Sequence, residues 1–157
     1  METSQDDRDA TSQLAAIDVA RRDFAGSLVT PRWYDGTVGV AAGANVAAVG
    51  LVLAEGSMAR RLAGVALLVV AMAAIGWSVR RFRAANGAWV SGLRAGPTAR
   101  VTAVGSTIQV VLGFVAAMAA IAAGWWWLGL VLAPLQVLSF VITSRRWMDV
   151  YRAEHGA

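Results

Sequence analysis

The side chains of this sequence that are capable of chemistry are few and scattered. Asp35 and Asp149 are acids at the ends of long apolar segments, and a lipid-modifying enzyme would need both in one pocket. His155 stands in a polar tail, so it can neither form a metal site alone nor ligate a haem inside a helix bundle. Cysteine is absent, which excludes thiolate nucleophiles and iron–sulfur ligation. We therefore predict no catalytic residue, no cofactor and no metal site.

Three amide side chains lie inside apolar segments, at Asn45, Gln109 and Gln136. An amide surrounded by lipid usually hydrogen-bonds to a neighbouring helix, which contributes about 0.6–2 kcal/mol. We therefore predict that the three amides are helix-packing residues. A substrate pocket built on the same three residues is the alternative.

The elements that must position these residues are apolar segments long enough to cross a bilayer. From Val101 to Ser144 the chain has no Asp, Glu, Lys, Arg or His. A helix crosses the hydrocarbon core in about 20 residues, so this stretch predicts two crossings. Charged residues make up only 15% of the chain, against about 25% in soluble domains. The sequence therefore predicts an integral membrane protein.

Hydropathy and charge divide the chain into a polar N-terminal part, four spans and a tail. Residues 1–10 are acidic and predict a disordered tail, and the apolar spacing over 11–29 predicts an amphipathic helix in the cytoplasm or at the interface. The transmembrane domain covers 30–144. Its four spans are predicted at about 36–54, 62–79, 102–122 and 126–143, with a basic loop at 80–100 and a tail at 145–157.

Orientation follows from the arginines, which are the only basic residues apart from the histidine. With the N-terminus in the cytoplasm, every arginine except Arg60 and Arg61 falls on the cytoplasmic side. Cytoplasmic loops are enriched in basic residues, so this bias predicts a bacterial cytoplasmic (inner) membrane protein with both termini inside.

Small and aromatic residues mark the predicted packing face and the membrane interfaces. Gly39 and Gly43 form a GxxxG in the first span, which predicts close approach of a second helix. Aromatic residues near span ends are typical of interfacial anchors. The predicted anchors are Trp33, Tyr34, Trp77, Trp125, Trp126, Trp127 and Trp147.

The basic loop suggests what the chain contacts outside the bilayer core. Arg80, Arg81 and Arg83 follow the second span, and basic juxtamembrane residues attract anionic headgroups at about 1 kcal/mol each. We therefore predict anionic lipid as their partner. A nucleic-acid partner is not predicted, because phosphate contacts would compete with the lipid surface.

The segment Thr30-Pro31-Arg32-Trp33-Tyr34, between the amphipathic helix and the first span, resembles one in small membrane proteins of high-GC Gram-positive bacteria. These are generally predicted to be four-span proteins with no assigned activity. The resemblance therefore implies the same topology and contributes no catalytic residue.

Together these patterns predict an all-α, integral membrane four-helix bundle with an N-terminal amphipathic helix. A non-enzymatic structural or accessory component of a homo- or hetero-oligomer is the favoured function. A small transporter or channel is the first alternative. A lipid-modifying membrane enzyme is the second.

Overall fold

The computed structural model of the protein describes residues 3–27, 31–86 and 96–155, and these ranges are helical apart from two short turns and the residues flanking helices. The helices are α1 (Thr3–Ser27), α2 (Arg32–Leu53), α3 (Met58–Asn86), α4 (Pro97–Ala123) and α5 (Trp126–His155). The described ranges contain no strand, so the predicted all-α class is confirmed. Four helices, α2 to α5, are long and apolar enough to cross a membrane.

Proline and glycine set the limits of the helices. Pro31 is extended (φ −61°, ψ 138°) directly before α2, and Pro97 occupies the first turn of α4, where its missing N–H costs nothing. Gly124 ends α4 in the left-handed conformation (φ 68°), which glycine adopts without a steric penalty. Its N–H donates to the Ala120 carbonyl at 3.2 Å, and α5 begins two residues later.

The helix α2 occupies the centre of the arrangement. It packs against α3, α4 and α5, and α4 also packs against α5. Among the described residues, α3 packs along α2 alone, and only the Arg60 side chain at its start reaches Trp126 of α5. The first helix, α1, contacts α5 alone, where Ala25 packs with Met148 and Tyr151. One side of the bundle, between α3 and α4, is therefore left open.

The helices are longer than the predicted spans, and this corrects the boundaries of the predicted N-terminal tail and of the predicted loop. The acidic segment predicted as a disordered tail over 1–10 is helical from Thr3. The loop predicted at 80–100 is shorter, because α3 continues through Arg80, Arg81 and Arg83 and α4 begins at Pro97. The segment predicted as a cytoplasmic tail is helical as far as His155, and its cytoplasmic location stays a prediction. Arg94 lies outside the described residues. Hydropathy marks only the apolar part of a helix. Because arginine favours helix formation, the charged residues at a span end continue the helix beyond the predicted span.

Candidate functional site

The predicted amides meet in one cleft in the middle of the bundle. Asn45 on α2, Gln109 on α4 and Gln136 on α5 line a space of about 380 Å³. Helix α2 contributes half of its lining, and Ile75 is the one contribution from α3. Each amide lies several turns from the ends of its helix, so the cleft is at mid-depth. The structure thus brings together three residues that are 27 or more positions apart in sequence.

The hydrogen bonds of these amides are incomplete. Within the described part of the chain, Gln136 Oε1 and Asn45 Oδ1 are buried and have no hydrogen-bond partner. Asn45 Nδ2 approaches the Met72 sulfur at 3.9 Å, which is a weak acceptor. The amides were predicted to bond neighbouring helices, and the structure gives two of their oxygens no such partner. Two residues that line the cleft therefore each carry a buried oxygen without a donor.

The predicted glycine stripe lies on the α2–α5 contact. A Cβ atom on Gly43 would be 2.8 Å from both the Ala133 carbonyl oxygen and Val137 Cγ2. On Gly39 it would be 3.4 Å from the Val137 carbonyl oxygen, which is a tight contact. Gly43 therefore brings the α2 backbone close to the backbone of α5, as the GxxxG pattern implies.

The same contact continues through two glycines that the sequence reading missed. A Cβ on Gly50 would lie 2.6 Å from the Trp126 carbonyl oxygen, and a Cβ on Gly129 would lie 2.8 Å from the Val46 carbonyl oxygen. Gly50 follows Gly43 by seven residues, so heptad spacing was the signal that could have found it. The close α2–α5 contact therefore extends over most of the length of α2.

An arginine and several aromatic rings occupy the end of the bundle at which α2 begins. The Arg81 guanidinium lies over Trp33 at 5.1 Å and over Trp77 at 5.2 Å, measured to the ring centroids. Tyr34 packs on Phe82 with a centroid distance of 4.8 Å. These cation–π contacts are worth about 0.5–1 kcal/mol each at exposed sites. They tie the first turn of α2 to the charged extension of α3.

The opposite end is held by Arg60, which the sequence reading assigned only to the outer loop. Its Nη2 donates to the Ala54 carbonyl at 3.0 Å and also to the Glu55 carbonyl, directly after the last turn of α2. A cation here interacts favourably with the negative end of the helix dipole. The same guanidinium lies 5.8 Å from the Trp126 ring centroid, so it links α2, α3 and α5.

The remaining predicted anchors lie in two other places. Trp125 and Trp127 stack on each other at 5.9 Å, beside Trp126, at the start of α5. Trp147 stacks on Tyr151 at 5.0 Å near the other end of α5, where Ala25 of α1 packs. Their position relative to a bilayer interface stays a prediction.

The two candidate acids have different surroundings. Asp35 is buried, and Ser144 Oγ on α5 donates a 2.6 Å hydrogen bond to its Oδ1. Asp149 is exposed on α5. In the ranges that the structure describes, no three His, Cys, Asp or Glu side chains are grouped so that they could hold a metal ion. Asp35 therefore joins two helices.

No protein-family model, curated protein or solved structure matches this chain.

Proposed function

We propose that this protein is a multi-pass component of the bacterial cytoplasmic membrane, with both termini in the cytoplasm. The four long apolar helices are compatible with a multi-pass protein. The arginine bias supports the orientation, since among the described arginines of α3, α4 and α5 only Arg60 and Arg61 lie at the end of the bundle away from Trp33. Because Arg81 contacts Trp33, the basic end of α3 and the first turn of α2 are on the same side.

Within the membrane, its role is that of a structural or accessory subunit in a homo- or hetero-oligomer. The observation that supports this role is the uncovered apolar surface of α1. Leu14 is 62% exposed and Ile17 is 46% exposed, and the two lie one turn apart on the same face. Helix α1 is fixed to α5 near its C-terminal end through Ala25, so the earlier turns remain available to a partner.

The contacts that hold α2 favour a structural role over a catalytic one. Close α2–α5 packing at Gly43, the Arg60 links and the Asp35–Ser144 bond hold the central helix along its length. Such an arrangement fixes the relative positions of helices, which suits a subunit that presents α1 to a partner. A lipid-modifying enzyme would need Asp35 and Asp149 in one pocket, whereas Asp35 is bonded to Ser144 and Asp149 is exposed.

Anionic lipid is the proposed partner at the cytoplasmic face. Arg80, Arg81 and Arg83 lie on the last turns of α3, and their side chains are exposed. Arg81 also covers Trp33 and Trp77, so the arginine is held beside two rings that are suited to the headgroup region. Each such cation contributes about 1 kcal/mol near an anionic surface.

A small transporter is the second candidate, and the cleft around Asn45, Gln109 and Gln136 is the observation in its favour. Transport would require the cleft to open in turn to each side of the membrane. Substrate-dependent flux into proteoliposomes would support this role over the structural one.

The oligomer proposal is tested with single cysteines, because the chain has none of its own. Leu14→Cys places a thiol on the uncovered face of α1, and Ala16→Cys places one on a different, exposed face of the same helix. Each is labelled with a benzophenone maleimide in native membranes and irradiated. We expect one discrete adduct from Leu14→Cys and none from Ala16→Cys. Monomer alone from both variants, together with a monomeric mass in lipid nanodiscs, would overturn the proposal.

A further inference from the structure

The central cleft has the size and the location of a ligand site. Its volume of about 380 Å³ lies within the range of roughly 300–1,000 Å³ that is common for small-molecule pockets. It is lined by residues of all four long helices. Two of these helices, α3 and α4, do not pack against each other in the described ranges. A molecule can therefore enter sideways, between α3 and α4.

The chemistry of the lining defines what the cleft can bind. Apart from the three amides the lining consists of apolar side chains and Gly113, and it includes Val46, Ile75 and Phe140. Gln136 is 2% exposed, and its Oε1 has no hydrogen-bond partner among the described residues. Asn45 is partly buried, and its Oδ1 also has no hydrogen-bond partner among the described residues. The lining therefore carries three uncharged amides, of which two have an oxygen without a donor, and this suits a molecule that is otherwise apolar.

Leaving these oxygens unpaired is costly at this depth. An unsatisfied buried carbonyl costs about 1–3 kcal/mol in proteins, and there is no bulk water in a bilayer core to compensate. A buried water is held by two to four polar partners, and most of this cleft is aliphatic. A molecule that donates a hydroxyl to one of these two oxygens and fills the remaining space with hydrocarbon suits both the polar and the apolar part of the lining.

We propose that this cleft binds a neutral membrane lipid with a free hydroxyl group, of the long-chain alcohol or diacylglycerol class. Its hydroxyl donates to Gln136 Oε1 or Asn45 Oδ1, and Gln109 lies in the same lining. Its chain extends past Ile75 and out between α3 and α4. This proposal requires the protein to lie in a bilayer, but it does not require an oligomer. The lipid site and the proposed oligomer can therefore fail separately.

The test uses the full-length protein in nanodiscs of phosphatidylcholine, a host lipid without a hydroxyl donor. The probe is a long-chain alcohol that carries a photoactivatable diazirine, and the matched probe is its methyl ether. After irradiation, the labelled peptides are mapped by mass spectrometry. We expect the alcohol to label peptides that contain the cleft lining roughly fivefold to tenfold more than the ether, as one hydrogen bond implies. Unlabelled dioleoylglycerol should compete.

Gly113 allows the cleft to be filled without disturbing the fold. It lines the cleft, and a Cβ atom placed on it would meet nothing within 4 Å. Gly113→Leu should therefore abolish labelling of the cleft while thermal stability is retained. Gly76 on α3 is equally open but does not line the cleft, so Gly76→Leu is the matched control and should label normally.

Removing the unpaired amide oxygens tests the proposed hydrogen bond separately from the volume of the cleft. The double variant Gln136→Met, Asn45→Leu removes both unpaired oxygens and should lower alcohol labelling to the level of the ether, whereas Thr107→Val on the exposed face of α4 should change nothing. Equal labelling by alcohol and ether in the unaltered protein would overturn the proposal, and so would undiminished labelling of Gly113→Leu. A photocrosslinker at position 113 that captures a protein chain in native membranes, instead of lipid, would assign the cleft to a partner helix and also overturn it.

Discussion

Ser144 donates a 2.6 Å hydrogen bond to Asp35, across 109 positions of sequence. The bond joins the first turn of α2 to α5, and Asp35 is also well placed there for the positive end of the α2 dipole. Hydrogen bonds to an ionised acceptor are short and stronger than neutral ones. The acid that could have served a membrane enzyme is thus part of the connection between two helices.

Replacing Ser144 with alanine should destabilise the protein measurably. The change leaves Asp35 Oδ1 buried without its donor, and an unsatisfied buried group costs about 1–3 kcal/mol. We expect a lower thermal unfolding temperature in nanodiscs. Ser106→Ala, at an exposed serine of α4, is the matched control and should have no effect. If both variants unfold at the same temperature as the unaltered protein, the Asp35–Ser144 bond contributes nothing to stability.

Replacing Gly43 with leucine should loosen the contact between α2 and α5. A side chain there meets Ala133 and Val137 at 2.8 Å, and over-packing costs about 1–3 kcal/mol or more. Gly36 lies on the same helix with nothing within 4 Å of a Cβ, so Gly36→Leu is the control. Thermal unfolding should separate the two variants clearly. Equal stability would show that the close approach at Gly43 is dispensable.

The sequence predicts those parts of this architecture that depend on hydropathy, charge or residue spacing. Apolar length and the absence of charge predict four long helices, because lipid-exposed backbone must satisfy its own hydrogen bonds. The GxxxG spacing likewise identified the face on which Gly39 and Gly43 lie. Hydropathy does not indicate where a helix ends once it leaves the apolar region. For this reason the extension of α3 through Arg83 was not predicted.

The cleft was beyond the reach of sequence reading for a different reason. Asn45, Gln109 and Gln136 can each be recognised as amides in apolar segments, and a shared pocket was one of two interpretations. Their meeting depends on the order of the helices and on the rotation of each one, and in lipid no hydrophobic force selects a helix face. The separation of α3 from α4 has no sequence signal that we can identify. Arg60 could have been noticed, because it follows the end of α2 by seven residues.

Arg60 should contribute more to stability than its neighbour Arg61. Its contacts with the Ala54 and Glu55 carbonyls and with Trp126 together suggest about 1–2 kcal/mol. Arg60→Gln should therefore lower the unfolding temperature, while Arg61→Gln, with an exposed side chain, should leave it nearly unchanged. A similar fall in both variants would point to loss of outer charge as the cause.

The basic end of α3 should enrich anionic lipid around the protein. Replacing Arg80 and Arg83 together with glutamine removes two cations and should reduce co-purified phosphatidylglycerol, at about 1 kcal/mol per charge. Lipid extracted with the protein in polymer nanodiscs is quantified by mass spectrometry. Arg61→Gln, at the other end of the bundle, is the control. Unchanged phosphatidylglycerol in the double variant would contradict the proposed lipid contact.

The proposed orientation predicts opposite labelling for two exposed positions. Ser57 lies in the turn between α2 and α3, and Ala153 lies on the last turns of α5. Because the chain contains no cysteine, Ser57→Cys and Ala153→Cys each introduce a single thiol. A membrane-impermeant maleimide added to intact cells should label Ser57→Cys at once and Ala153→Cys only after permeabilisation. The reverse result would invert the topology, and would place Arg80, Arg81 and Arg83 on the outer face against the positive-inside tendency. Equal labelling of both in intact cells would mean that the chain crosses the membrane an even number of times between Ser57 and Ala153, which contradicts the three proposed spans α3, α4 and α5.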